Sequence, residues 1–376
     1  MVSLKIAIAG TRGIPPRYGG FETFAAELSA RLAARGHEVA VYCREGSPTT
    51  DNRQPTTQPS NGVQRIVLPA LHHKYLETVS HTLLSALDAL RRDFDVVLLC
   101  NAANAFVLPL LRAARIPVAI NVDGIERHRR KWNVAGKAVY AIGESFSALF
   151  ANRVVADAVV IADYYRQHYG IEPVMIPYGA EFPAEDDSDV LQRLGVEGGN
   201  YILYVSRFEP ENNPLEVVLA YEQIAAIGGR LPTLIMLGSA SYALDLESEL
   251  RGHASDSIIF PGALYGNDYR TLQRNALIYI QATEVGGTHP AMIEAMASGG
   301  CVLANDTPEN REVGGDAAGY FTLRPSQTLS GTLSEYLSSP EMRELMRVAA
   351  RARAGEKYGW TAVTDAYERL FTAIAR

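Results

Sequence analysis

With 376 residues, 47% of them hydrophobic and 20% charged, the chain has ordinary globular composition and length for two domains of ~150–200 residues, each with a sizeable core. No uncharged apolar run approaches the ~18–20 residues of a membrane-crossing helix, there is no low-complexity tail, and the chain opens directly into LKIAIAG without signal-peptide features, so a cytoplasmic location is expected. The net charge of −7 divides into +3 over residues 1–185 and −10 over 186–376, with nothing that calls for nucleic acid; the basic half either meets an anionic partner such as a lipid surface or carries charge for solubility.

Short β-branched apolar runs alternate with longer stretches of helical period from end to end, the pattern of parallel α/β sheets. Strands are predicted near 4–9, 38–43, 63–68, 95–100, 117–121 and 157–161, with helices near 21–35, 77–91, 104–115 and 132–150; Gly36 marks the end of the first helix. Cys43, Cys100 and Cys301 lie in or at the ends of strand-like runs without CxxC spacing, and read as buried reduced thiols with no metal site. A Pro-, Gly- and acid-rich stretch over 176–188 precedes a second series, with strands predicted at 201–206, 232–237, 257–260, 277–282 and 301–305. The expected domains are 1–180 and 181–360, and a last helix within 361–376 is expected to pack back on the first domain. The fold class is α/β, with two Rossmann-like, doubly wound domains facing across a cleft and the ligand at the C-terminal strand edges.

Three segments at strand ends carry candidate chemistry. The first strand runs into Gly10-Thr11-Arg12-Gly13 and then Arg17-Tyr18-Gly19-Gly20 before a helix, where backbone amides and the helix dipole favour an anion. It is neither GxGxxG nor a P-loop, which argues against a dinucleotide or simple triphosphate site. The second is Ser206-Arg207-Phe208-Glu209-Pro210-Glu211-Asn212-Asn213, whose arginine suits a diphosphate through paired hydrogen bonds, or is a surface residue paired with Glu209 or Glu211. The third is Gly286-Gly287-Thr288-His289-Pro290, with Glu294 a turn further on: free amides for a phosphate at the helix start and a carboxylate within reach of ribose hydroxyls. An acid inside AMIEAMA is costly to bury without a partner, which favours a role for Glu294 over that of a helix-surface glutamate.

In their order these segments resemble the retaining GT-B glycosyltransferases of family 4. TRGIP…YGGFET, the ENN triplet and GGTHPAMIEAMASG resemble more narrowly a bacterial subgroup associated with rhamnosyl transfer in surface-polysaccharide synthesis. The resemblance covers essentially the whole chain. It implies a retaining, metal-independent hexosyltransferase with an acceptor-side N-terminal domain and a nucleotide-sugar-binding C-terminal domain. No cofactor is implied beyond a nucleotide-diphosphate sugar as co-substrate, with dTDP-rhamnose as donor and a glycan or lipid-linked saccharide as acceptor. Arg207, Glu294 and Asp123 are then the catalytic candidates. Gly19, Gly20, Arg207, Asn212, Asn213, Leu264, Gly287, Thr288, His289 and Glu294 are the donor-binding ones. The family's lysine five residues after the arginine is Asn212 here, and its first glutamate is Gly286, with Glu284 two residues early; both departures fit a deoxysugar donor with fewer hydroxyls to hold.

The place where relatives carry an N-domain histidine is Asn121-Val122-Asp123-Gly124-Ile125-Glu126, which assigns Asp123 or Glu126 to sugar or acceptor. The run Arg127-His128-Arg129-Arg130-Lys131 follows; Arg127, Arg129 and Arg130 suit an acceptor phosphate or an anionic membrane at the inner face of the cell membrane, and equally a solvated loop. Asp93-Phe94-Asp95 and Asp187-Ser188-Asp189 match the metal-binding DxD pattern by coincidence of position. The competing reading from another class is a non-catalytic nucleotide-sugar-binding or scaffold protein, for which the absent lysine and first glutamate speak; a transferase using a UDP- or GDP-hexose is the alternative within enzymes.

Overall fold

The computed structural model describes residues 3–16, 19–45, 62–71, 73, 76–125, 127, 134–181, 188–228, 231–240, 243–323 and 328–375. They form two compact units. One runs to Tyr178 and takes the chain back from Trp360; the other spans Gly179–Gly359.

The first unit contains β1 (Lys5–Ala9), α1 (Gly20–Ala34), β2 (Glu38–Arg44), β3 (Val63–Leu68), α2 (Leu76–Ala89), β4 (Val96–Cys100), α3 (Leu108–Ala113), β5 (Val118–Asn121), α4 (Val134–Phe150), β6 (Arg153–Ala156), α5 (Val159–Tyr169) and β7 (Val174–Met175). The second contains α6 (Val190–Leu194), β8 (Tyr201–Val205), α7 (Pro214–Ile227), β9 (Thr233–Leu237), α8 (Leu244–Gly252), β10 (Ile258–Gly262), α9 (Gly266–Asn275), β11 (Ile278–Gln281), α10 (Pro290–Ala297), β12 (Val302–Asn305), α11 (Pro308–Gly314), β13 (Gly319–Phe321), α12 (Leu329–Ser338) and α13 (Pro340–Lys357). A last helix, α14 (Trp360–Ile374), belongs to the first unit.

Both sheets are parallel and doubly wound, in the orders β3-β2-β1-β4-β5-β6-β7 and β10-β9-β8-β11-β12-β13. Such sheets bury both faces, which is why β4 reads VVLLC without alternation and is buried along its length. The winding reverses between β1 and β4 in one unit and between β8 and β11 in the other. At such a point the connections leave in opposite directions and open a crevice at the C-terminal strand ends.

α14 earns its place by aromatic packing against α1. Phe24 meets the rings of Trp360 and Tyr367, and Arg35 and His37 bond Glu368 at 2.5 and 3.0 Å. Cys43, Cys100 and Cys301 are buried free thiols. Among the described residues no helix is long and apolar enough to cross a membrane.

Two elements differ from the sequence reading. The strand predicted at 157–161 lies earlier, at Arg153–Ala156, and Val159-Val160-Ile161 opens α5 instead. β5 has spent its pairing on Arg153, Val154 and Val155, while Ile161, Ala162, Tyr164 and Tyr165 bury at helical spacing until Gly170 ends the helix in the left-handed region. The helix predicted at 104–115 is a 3-10 helix over Ala102–Val107 followed by α3, with Pro109 in the first turn where its missing N–H costs nothing.

Candidate active site

In the second unit the loops after β8 and β11 meet at the switch point. The Asn213 amide donates to the Ala282 carbonyl (2.8 Å), and the Glu284 N–H to the Glu211 carbonyl (2.9 Å). Asn213 also sits in the left-handed region at φ 53°, turning the chain into α7. Asn212 is buried, and its amide closes the loop on the Arg207 carbonyl at 2.7 Å. Both asparagine amides therefore hold backbone; what they contribute to a donor site is the shape of the loop that carries Arg207. The Arg207 guanidinium is partly exposed, with Glu209 at 3.4 Å, the pairing foreseen as the alternative for this arginine. Gly238 lies beneath this loop at φ 154°, and a Cβ there would come within 1.9 Å of the Ser206 carbonyl oxygen, so only glycine fits.

On the other side of the crevice Gly286, Gly287 and Thr288 are buried and His289 is half-buried at the start of α10. A Cβ on Gly286 would overlap the His289 imidazole at 2.6 Å. The glutamate that the family carries at this place would need the imidazole moved. Thr283, at the end of β11, is held from both sides: its hydroxyl accepts from Gln281 (3.0 Å) and its carbonyl from Asn310 (3.2 Å).

Glu294 has the partner that its setting in AMIEAMA requires. The Tyr269 hydroxyl, from α9, donates to its carboxylate at 2.5 Å, and the Gln273 amide donates to the same hydroxyl (2.8 Å) and to the Ala291 carbonyl (3.2 Å). Burial, and then the Glu294 carboxylate, push the Tyr269 phenol well above its usual range, so it stays a donor. Tyr269 and Gln273 were not singled out in the sequence; the signal is their i, i+4 spacing, which puts both polar ends on one face of α9. Leu264 is half-buried in the loop after β10, beside the exposed Tyr265.

In the first unit the corresponding crevice lies between β1 and β4. Gly10, at φ 90°, passes so near the Cys100 carbonyl that a Cβ would lie 2.4 Å from its oxygen. Asn104 ties the edge together, donating to the Cys100 and Gly10 carbonyls at 2.7 and 3.2 Å. Gly19 is extended and precedes α1, but a carboxyl group of the chain already stands beside it: Glu22 is buried and accepts from the Arg12 N–H at 2.9 Å. Burial pushes the Glu22 carboxyl up, against the pull of that N–H. A phosphate at Gly19 and Gly20 would share the helix start with this carboxyl group, which the glycine pattern alone does not reveal.

Asp123 follows β5 in the left-handed region at φ 54°, held by its N–H on Asn121 Oδ1 (3.0 Å) and by the Tyr178 hydroxyl (3.3 Å). A non-glycine residue kept in that conformation by neighbours is the kind of strain found at binding sites. Arg127 lies with its guanidinium 3.6 Å from Glu144 and over the Tyr164 ring, and so is turned toward its own unit. Glu126, Arg129 and Arg130, along with Arg17 and Tyr18, lie outside the described residues.

Residues 18–181 match the family Glycosyltransferase Family 4, and residues 188–353 match Glycosyl transferases group 1. A curated relative, the alpha-monoglucosyldiacylglycerol synthase of Streptococcus pneumoniae, is 24% identical over 185 residues. That match takes in 46% of this chain and 42% of the relative, so less than half the length of either protein is aligned. Among solved structures, sucrose-phosphate synthase from Thermosynechococcus elongatus superposes with a TM-score of 0.81 at 19% identity, over 98% of this chain and 100% of that one. Anabaena HepE in complex with UDP-glucose superposes with a TM-score of 0.78 at 16% identity, with the same coverage. At these identities the likeness carries the GT-B fold alone.

Proposed function

Because the chain belongs to the GT-B glycosyltransferases, pairing a Glycosyltransferase Family 4 domain with a glycosyl transferases group 1 domain, we propose that it moves a sugar from a nucleotide-diphosphate sugar to a glycan or lipid-linked acceptor with retention of configuration. The observation that carries this reading is the pair of loops joined at the switch point of the second unit. One offers the Arg207 guanidinium; the other offers Gly287, Thr288 and His289 at the start of α10, with Glu294 held by Tyr269 a turn further on. A diphosphate needs cationic and N–H donors, and a ribose needs a fixed carboxylate; both kinds of group stand at one strand edge.

The acceptor hydroxyl attacks the anomeric carbon on the face from which the diphosphate leaves. The new C–O bond forms as the C–O bond to phosphate breaks, and the hydroxyl proton passes to the departing phosphate oxygen. No protein nucleophile and no metal ion take part. Charge gathers on the phosphate, so Arg207 and the amides of the Gly287 loop act in the transition state. Asp123, with Glu126, Arg127, Arg129 and Arg130, serves the acceptor, at an anionic membrane on the cytoplasmic side. The resemblance of the Gly19-Gly20 and GGTHPAMIEAM motifs to the subgroup associated with rhamnosyl transfer supports dTDP-rhamnose as donor in polysaccharide synthesis. A UDP-glucose donor is the second reading, favoured by the UDP-glucose bound to HepE.

Thermal shift of the purified chain against dTDP-rhamnose, UDP-glucose, GDP-mannose and the free nucleotides tests the donor. Selective stabilisation by dTDP-rhamnose supports rhamnosyl transfer, and by UDP-glucose the second reading; no shift with any nucleotide overturns both. With the matching donor and acceptor, Arg207→Ala is expected to lower kcat by about 10²–10³-fold.

A further inference from the structure

In the second unit α13 packs on α10 through one face and turns the other to solvent. The inner face is pinned by the buried Ala350 and Ala354 and by three arginines that bond carbonyls of their own unit. Arg343 reaches those of Tyr336 and Leu337, Arg347 that of Gly299 (2.9 Å), and Arg353 those of Glu312 and Val313 (2.7 and 2.6 Å). With these contacts made, the helix cannot roll to hide its outer face.

That outer face carries Leu345 and Val348, 66% and 62% exposed and one turn apart. They belong to a seam of exposed residues, Glu341, Leu345, Val348, Ala352 and Gly355, whose spacing alternates between four and three, as in a helix that packs along another. The seam is graded in size, bulky toward the N-terminal end and small toward the C-terminal end. Charge beside it is graded too, with Glu344 exposed on one side of Val348 and Arg351 on the other.

A second copy of α13 running antiparallel satisfies both gradients at once. With Val348 against Val348 on a two-fold axis, Leu345 lies over Ala352 of the other copy and Glu341 over its Gly355, so large meets small. Glu344 then falls beside Arg351 of the other copy, so opposite charges meet. At each end Glu341 has both Glu356 and Lys357 of the other copy near it, and their effects cancel. A parallel pair would set Glu344 on Glu344 and Arg351 on Arg351, and leave Ala352 and Gly355 facing across a gap. The outward charges of this face, three glutamates with Arg351 and Lys357, are too nearly balanced to draw a polyanion or a polycation. Self-complementarity of size and of charge is what a closed two-fold interface requires.

We propose that the outer face of α13 is the interface of a two-fold homodimer, antiparallel helix on helix. This goes beyond the glycosyl transfer read above and depends on neither donor nor acceptor. The helix has 18 residues, and one such pair covers less than the ~1,200–2,000 Å² of a standard interface, so the dimer is expected to be weak and to form as concentration rises.

Sedimentation velocity of the full chain from about 1 to 200 µM is the test, and wild type is expected to pass from monomer to dimer over that range. Val348→Arg, which puts two cations on the axis, is expected to raise the dissociation constant at least about tenfold, as are Glu344→Arg and Arg351→Glu singly. Glu344→Arg/Arg351→Glu together lets opposite charges meet again and is expected to recover the dimer. All three positions are exposed, so thermal midpoints are expected to stay. A chain that is monomeric throughout overturns the proposal, and so does a dimer that Val348→Arg leaves intact, which would use another face. Single charge reversals that weaken the dimer without recovery in the double variant overturn it too, because the helices would not be antiparallel in this register. If Val348→Arg lowers the thermal midpoint, cysteine decides: Val348→Cys is expected to give a covalent dimer on mild oxidation and Leu345→Cys, whose counterpart is Ala352, is not; equal cross-linking of both overturns the proposal.

Discussion

Arg207 and Glu294 could be picked out by type and spacing because each is a charged residue at a place where a strand ends or a helix is otherwise apolar. Of their partners, only that of Arg207 was open to the same reading. Glu209 beside Arg207 is a short-range neighbour, but Tyr269 reaches Glu294 from a different helix, and Asn213 reaches Ala282 across the sheet edge. His81 is a residue of the same kind, an ordinary histidine in the chain and wholly buried in the fold. Burial, and then the Arg44 guanidinium, lower its imidazole to about 4. In the unfolded chain it takes a proton near 6.5. A folded value below the unfolded one means stability that is fully present above pH ~6.5 and is lost as pH falls toward ~4, by up to ~3 kcal/mol. Urea unfolding at pH 7 and pH 4.5 is expected to show a smaller acid loss in His81→Asn than in wild type; equal losses would assign the acid sensitivity to other groups.

At the scale of elements, the strands followed the apolar runs closely, because a parallel strand buried on both faces has little freedom of composition. α5 shows the limit of that rule: three β-branched residues opened a helix once β6 had taken the place beside β5. α2 and α4 show a second limit: α2 turns His81, Thr82 and Ser85 inward and leaves Leu83, Leu84 and Leu87 exposed. Their apolar spacing announces a helix, but which face turns inward depends on what the helix meets. Gly143 is the lever, since its backbone touches the 3-10 helix at Ala102. Gly143→Ala is expected to push α4 outward and to cost ~1–3 kcal/mol, although alanine is the better helix former. A thermal midpoint equal to or above that of wild type would show that the contact is slack.

For the whole molecule, the first unit is not continuous in sequence. α14 supplies Trp360, Tyr367 and Glu368 to a core that begins with β1, so ending the chain after Gly359 is expected to expose Phe24 and leave Arg35 and His37 without Glu368. Such a truncation is expected to lower the first unit's unfolding midpoint, or to leave the chain aggregated; an unchanged scanning-calorimetry trace would contradict that account. The amino-acid sequence by itself determined that there are two doubly wound sheets and which strand ends carry the glycines, Arg207 and Glu294, because alternation, turn chemistry and helix starts are local properties. The tertiary structure decided the rest: Glu22 beside Gly19, Tyr269 on Glu294, Asn212 and Asn213 on backbone carbonyls, and the outward leucines of α2. Each depends on which distant group arrives beside a residue to satisfy or exclude it, and that meeting is settled only when the chain has folded.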